Sequence, residues 1–344
     1  MNEININRKK VNYEYKISFA PASTPFINLV YRAYCAQIME KVSTIMKDAE
    51  MKEKYRKLYE IIKDTIQRNY VEENNDEFVL LTKTTDGVDK SFHDYEFVDN
   101  AQTGLLWFLK LKLYNNNDQK QKAVNVLIES IKNENRSIRE HLPENSHAVG
   151  FLGINILLPV LSEIGEESVA YDLLLSEEIP SWLYSVNNGA TTIWERWNSY
   201  SLEDSFGDAS MNSFNHYSYG AVFEWVYNQV AGVKINPTSK DPIVISPKID
   251  KGTKYNNQER INEVLYEYDS ILGKIKVHWK SEEEKLKTLK VTIPANQTGI
   301  LHLNKKDIED LDLSQYKVKN IDDTEEIVEI ELNSETVFYS LNNS

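Results

Sequence analysis

Two short stretches hold the residues with the clearest chemical potential. The first is Gly189-Ala190-Thr191-Thr192-Ile193-Trp194-Glu195-Arg196-Trp197. Apolar walls disfavour the charged form of a carboxylate and a neighbouring cation favours it. Such opposed influences are how a general base is tuned. The same residues admit a plainer reading, because Thr192 and Glu195 stand at the S/T-x-x-E spacing of a capping box at a helix start. The second stretch is Met211-Asn212-Ser213-Phe214-Asn215-His216-Tyr217. Ser213 or Asn215 suits a helix N-cap. His216 then reads either as a ligand contact or as a histidine hydrogen-bonded at a helix start. His147, in Asn145-Ser146-His147, carries the same two readings.

Aromatic residues crowd the same region. Four of the six tryptophans lie between Trp182 and Tyr227. A pyranose shows apolar C–H faces rimmed by hydroxyls, so ring faces beside carboxylates suit a sugar site. Packing between helices explains the crowding equally well. The six histidines show no metal-ligand spacing, and neither a metal nor another cofactor is expected. No Gly-rich phosphate loop, HExxH or Gly-x-Ser-x-Gly elbow is present.

The elements that must position these residues fall into two regions. Up to about residue 232 apolar residues recur at helical spacing. Phe26, Val30, Tyr34, Ile38, Val42 and Ile45 form one stripe, and Met51, Tyr55, Leu58, Ile62 and Ile66 another. Helical patterns follow at 104–114, 123–131, 148–161, 168–175 and 215–231, with Gly232 placed as a C′ residue. Short connections make this an array of helical hairpins. From residue 233 the period becomes two, with strands expected at 264–268, 274–279, 289–293, 299–303 and 327–332. The expected domains are therefore 1–232, helical, and 233–344, a β-sandwich.

Composition narrows the function classes. Lys+Arg 39 against Asp+Glu 53 gives a net charge of −14. That charge opposes nucleic-acid backbones and anionic membranes as partners. The single cysteine, Cys35, excludes an internal disulfide or a cysteine zinc cluster. No apolar leader opens the chain and its longest near-apolar stretch, 150–161, is too short to cross a bilayer, so a cytoplasmic location is expected.

Taken together, the two stretches above resemble bacterial α-L-rhamnosidases of glycoside hydrolase family 78. So do His147-Ala148-Val149-Gly150-Phe151-Leu152-Gly153, Tyr171-Asp172-Leu173-Leu174-Leu175 and Pro180-Ser181-Trp182-Leu183-Tyr184. Ile245-Ser246-Pro247 and the Pro294-Ala295-Asn296 turn resemble that family's C-terminal sandwich. The match runs collinearly from about Thr24 to the end. The resemblance implies a partial (α/α)6 six-hairpin barrel followed by an antiparallel β-sandwich. It implies inverting hydrolysis of terminal α-L-rhamnosides by two carboxylates. Glu195 falls on the family's general base and His216 on a sugar-contacting histidine. Trp194, Trp197 and His147 are carried over as substrate-pocket residues.

One departure from the family pattern stands out. The family's general acid lies near an Arg-x-Gly-Trp-x-Gly-Asp-like motif in the first half of the barrel. This sequence has no such motif, and its lone Gly-Asp is Gly207-Asp208. Glu140, Glu144, Asp204 and Asp208 are the carboxylates nearest by motif position. Twelve helices with their connections need roughly 300 residues, against about 230 of helical character here. The expected partners are rhamnose-containing glycosides, together with a second copy or an N-terminal rhamnosidase half covering the open barrel side. A non-catalytic carbohydrate-binding or assembly protein on the same scaffold is the alternative.

Overall fold

The computed structural model describes residues 22–75, 77–82, 98–139, 142–207, 211–252, 260–309, 311–320, 326–332 and 335–339. Contacts divide the chain into two compact units, 1–220 and 221–344. No helix of the described residues is long and apolar enough to cross a membrane.

The first unit is built from helical hairpins. Helices α1 (Thr24–Ile45) and α2 (Ala49–Tyr70) pack against each other across a three-residue turn. Asp48 caps α2 by accepting the Met51 N–H at 3.0 Å. The two strands β1 (Val71–Glu73) and β2 (Phe78–Leu80) then pair antiparallel. Helix α3 (Gln102–Lys110) is buried on every side from Gln102 to Leu109, as an all-round apolar helix must be. It packs on α4 (Asn117–Lys132) and α5 (Phe151–Glu163), and α5 pairs with α6 (Glu167–Leu175). Gln37 and Tyr59 donate to the Leu111 carbonyl at 3.0 and 2.7 Å, tying the first hairpin to the end of α3. Helix α7 (Trp182–Asn187) is short and is capped by Ser181. A small hairpin of β3 (Tyr200–Ser201) and β4 (Ser205–Phe206) ends the regular structure of this unit.

The second unit opens with α8 (Val222–Trp225) and a π turn, Val226–Val230. Strands β5 (Val233–Ile235), β6 (Ile243–Ile245), β10 (Gly299–Asn304), β11 (Val318–Asn320) and β12 (Ile327–Leu332) form one sheet, ordered β11-β12-β10-β6-β5. The other sheet, ordered β13-β9-β8-β7, uses β7 (Glu263–Ser270), β8 (Gly273–Glu282), β9 (Lys285–Thr292) and β13 (Glu335–Tyr339). Every pair is antiparallel except β6 with β10. Alternate residues Ile275, Val277 and Trp279 of β8 are wholly buried, the period-two signature of a sheet with one covered face. The Trp279 indole donates to the Val230 carbonyl at 2.8 Å, which fixes the π turn on that sheet.

Four of the five expected strands fall within a strand of the structure, and the fifth, 289–293, overruns the end of β9 at Thr292 by one residue. The helix expected at 215–231 begins only at Ser218 and runs as three successive helical segments, a 3₁₀ turn at Ser218–Ala221, α8 and the π turn. The backbone before Ser218 is already engaged elsewhere: His216 N–H donates to the Ile193 carbonyl at 2.8 Å, and Ser213 bonds to Glu195. Gly232 does take the left-handed conformation, with φ +77°. A Cβ there would lie 2.2 Å from the Pro247 nitrogen, so the close approach of the two segments requires glycine.

Candidate active site

Residues 189–199 form no helix, so Thr192 and Glu195 are not a capping box. The stretch instead runs beside residues 213–216 and is stitched to them. The Glu195 N–H donates to the Ser213 carbonyl at 2.8 Å, and the Ser213 N–H returns a bond to Glu195 Oε2 at 2.7 Å. The Thr192 hydroxyl donates to the Phe214 carbonyl. The two stretches singled out in sequence thus form one unit in space, with Glu195 and His216 both half-buried on it. One carboxylate oxygen is spent on Ser213, which orients the other.

Behind this pair lies a set of interlocked rings. The Trp197 indole donates to the Val149 carbonyl at 3.0 Å and stacks on Tyr219, with centroids 3.8 Å apart and planes 9° apart. The Trp182 indole donates to the Tyr219 carbonyl at 2.9 Å and meets Trp197 edge-on at 5.4 Å. The stack therefore joins the Glu195 stretch, the His216 stretch, α7 and the entry to α5. Burial raises the Tyr219 phenol above its ordinary value; Arg196 opposes that shift and Glu195 adds to it. A fixed dipole and two charges therefore sit in electrostatic reach of one another.

His147, expected in the substrate pocket, is a ring with 0% exposure. It is enclosed by Trp197 at 4.6 Å and Trp182 at 5.5 Å. Neither of its nitrogens has a hydrogen-bond partner among the described residues. Burial alone lowers its pKa to about 3, so the ring is neutral. Trp194 and Trp197 are also nearly buried. Trp194 meets Phe214 edge-on at 5.4 Å, and Phe214 meets Phe206 at 5.6 Å.

His216 is more open. Its ring lies between Phe151 and Tyr217, and its Nδ1 accepts the Ser218 N–H at 3.3 Å. The reading of a histidine hydrogen-bonded at a helix start is thereby present alongside any ligand role. Of the carboxylates near by motif position, Glu144 accepts the Asn135 N–H at 2.7 Å and Asp204 sits in the turn between β3 and β4. Glu140 and Asp208 lie outside the described residues. Among the described residues no cluster of histidine, cysteine, aspartate and glutamate is arranged to hold a metal ion. Ser213, Phe151, Tyr219 and Trp182 build the site without having been singled out for it in the sequence. Trp182 and Tyr219 belonged to the aromatic crowding, but spacing along the chain does not reveal ring pairs that meet across it.

Helical hairpins leading into a β-sandwich are the architecture of the six-hairpin glycosidase fold class with its C-terminal domain. Residues 12–230 match the bacterial alpha-L-rhamnosidase six-hairpin glycosidase domain, and residues 241–316 match the bacterial alpha-L-rhamnosidase C-terminal domain. The chain belongs to the bacterial α-L-rhamnosidase family. It is 29% identical over 298 residues to an alpha-L-rhamnosidase of Formosa agariphila, covering 87% of this chain and 28% of the relative. It is 51% identical over 100 residues to an alpha-L-rhamnosidase of Alteromonas, covering 29% of this chain and 11% of that relative. The Streptomyces avermitilis alpha-L-rhamnosidase, solved in complex with L-rhamnose, superposes with a TM-score of 0.71 over 95% of this chain and 28% of its own, at 23% identity. The chain thus spans little more than a quarter of the length of the relatives it matches.

Proposed function

We propose that this chain carries the general-base side of an inverting α-L-rhamnosidase site. Glu195 activates the attacking water, and His216 binds a hydroxyl of the terminal rhamnose. The observation that carries the reading is the double bond-pairing of Glu195 with Ser213, which holds the carboxylate two residues after the loop-joining Ile193–His216 contact. Trp194 and Trp197 wall the carboxylate from bulk water. His147 supports Trp197 from behind, in keeping with its complete burial.

Inversion also needs an acid roughly 6.5–9.5 Å from the base to protonate the leaving oxygen. We assign that acid to hairpins outside this sequence, which lacks the family's acid-bearing motif. The later part of the α1 stripe supports the assignment: Phe26 and Val30 are buried at its start, whereas Ile38, Val42 and Ile45 stay exposed. Such an uncovered face suits the remaining hairpins, or a second copy of this chain. The reading places the protein in the cytoplasm, with rhamnose-containing glycosides as ligands.

The test is hydrolysis of an aryl α-L-rhamnoside by the chain alone and mixed with the N-terminal portion of a full-length relative, with light scattering of each sample. Activity on mixing, lost in Glu195→Gln, supports the reading. Full activity of the chain alone overturns the partner requirement. L-rhamnose binding without activity in either sample favours a non-catalytic carbohydrate-binding protein.

A further inference from the structure

His216 is the middle ring of a three-ring stack. Phe151, the first residue of α5, lies 4.7 Å from it by centroid with the planes 13° apart. Tyr217 lies 5.3 Å away on a plane 14° off parallel. Both outer rings are open to solvent, Phe151 at 42% and Tyr217 at 86%. Core packing therefore does not account for their arrangement. Between two near-parallel faces an imidazole is hindered from tilting out of plane, but it can still turn over by half a rotation. The Ser218 N–H, 3.3 Å from Nδ1, selects between those two orientations. A backbone N–H can only donate, so Nδ1 must present its lone pair. In the neutral ring the proton then resides on Nε2. Among the described residues Nε2 makes no hydrogen bond. Phe151 also touches Tyr219 at 5.4 Å, and Tyr219 stacks on Trp197, so the stack is continuous with the rings behind Glu195.

We infer that Phe151, Tyr217 and the Ser218 amide hold His216 as the Nε2–H tautomer, a hydrogen-bond donor aimed at a hydroxyl oxygen of the ligand, with Phe151 as a positioning residue. The ligand class rests on the rhamnosidase reading above; the tautomer does not. Stacking of this kind is worth enough to change affinity about 3- to 10-fold. A ring held in one tautomer favours ligands that offer an acceptor oxygen at that point and disfavours those that offer only a donor.

The tautomer is read directly from long-range proton–nitrogen correlation of the histidine rings in the full ¹⁵N-labelled chain at about pH 8, with His216 assigned by its absence in His216→Gln. The expected spectrum shows an unprotonated Nδ1 and a protonated Nε2 in the parent chain. It shows mixed tautomers in Phe151→Ala and the parental pattern again in Phe151→Tyr. L-rhamnose titrated against the same signals is expected to bind about 3- to 10-fold more weakly to Phe151→Ala and near parental strength to Phe151→Tyr. A mixed or Nδ1–H ring in the parent, or a Phe151→Ala spectrum identical to the parent, overturns the inference. If the tautomer is as expected but L-rhamnose moves no histidine signal even with the complementing N-terminal portion of a relative present, the tautomer stands and the rhamnosidase reading falls.

Discussion

Glu195 and Ser213 hold each other through two hydrogen bonds: the Glu195 N–H donates to the Ser213 carbonyl at 2.8 Å, and the Ser213 N–H donates to Glu195 Oε2 at 2.7 Å. One residue therefore supplies both a backbone tie and a side-chain tie. The carboxylate is oriented by the loop that also carries His216, three residues further on. On the proposed reading of Glu195 as a general base, a carboxylate held this way needs no reorganisation when water approaches.

Two substitutions at Glu195 separate its chemical from its structural part. Glu195→Gln keeps an oxygen for the Ser213 N–H but cannot take a proton. Rhamnoside hydrolysis in the complemented assay is expected to fall by about 10²–10⁴-fold with little change in melting temperature. Glu195→Ala also leaves the Ser213 N–H without its acceptor and is expected to lose about 1–3 kcal/mol of stability. Equal melting curves for the two variants, measured by calorimetry, would show that the Ser213 bond contributes nothing to the fold.

The ring stack behind the site makes a second prediction. Trp197→Phe preserves a flat face for Tyr219 but removes the indole N–H that satisfies the Val149 carbonyl at 3.0 Å. A buried carbonyl left unpaired costs about 1–3 kcal/mol. Urea unfolding should register that loss. It should also show a larger one, about 3–5 kcal/mol, for Trp197→Ala, which removes the stacking ring as well.

Much of this arrangement is legible in the sequence, and the physical reason differs from element to element. The stripe Phe26, Val30 and the run Ile275, Val277, Trp279 declare a helix and a strand because burial of one face repeats at each element's own period. Thr192 and Glu195 mislead for a related reason: local spacing fits a helix start, but Ser213 and Phe214 compete for the same groups from across the fold. The helix expected from Asn215 starts late because His216 gives its N–H to Ile193. The pairing of Phe151 with His216 and of Trp182 and Trp197 with Tyr219 escapes notice because no period along the chain encodes which rings meet through space.

Gly232 gives a test in the second unit. Its φ of +77° and the 2.2 Å approach of a built Cβ to the Pro247 nitrogen leave no room for a side chain. Gly232→Ala is expected to destabilise the chain by more than about 1 kcal/mol, with strain and clash acting together. The neighbouring Ala231→Gly, where φ is helical at −73°, is the control and should cost about 1 kcal/mol or less. Thermal unfolding that ranks the two the other way would remove the steric explanation.

The last prediction concerns acid stability. Burial lowers His147 to about 3 in the folded chain, while an exposed histidine titrates near 6.5. Between those values the unfolded chain binds a proton that the folded chain refuses. The unfolded state therefore holds more protons, and stability falls as the pH falls. The contribution is intact above about 6.5 and is lost at up to about 1.4 kcal/mol per pH unit on the way down to about 3. His147→Leu removes the titrating group while keeping an apolar side chain between Trp182 and Trp197. It is expected to unfold at similar denaturant concentration near neutrality and to gain on the parent steadily as the solution is acidified. Parallel stability curves for the two proteins from pH 7 to pH 4, roughly the range in which the two states differ, would mean that His147 is reached by solvent and is not sealed behind the tryptophans.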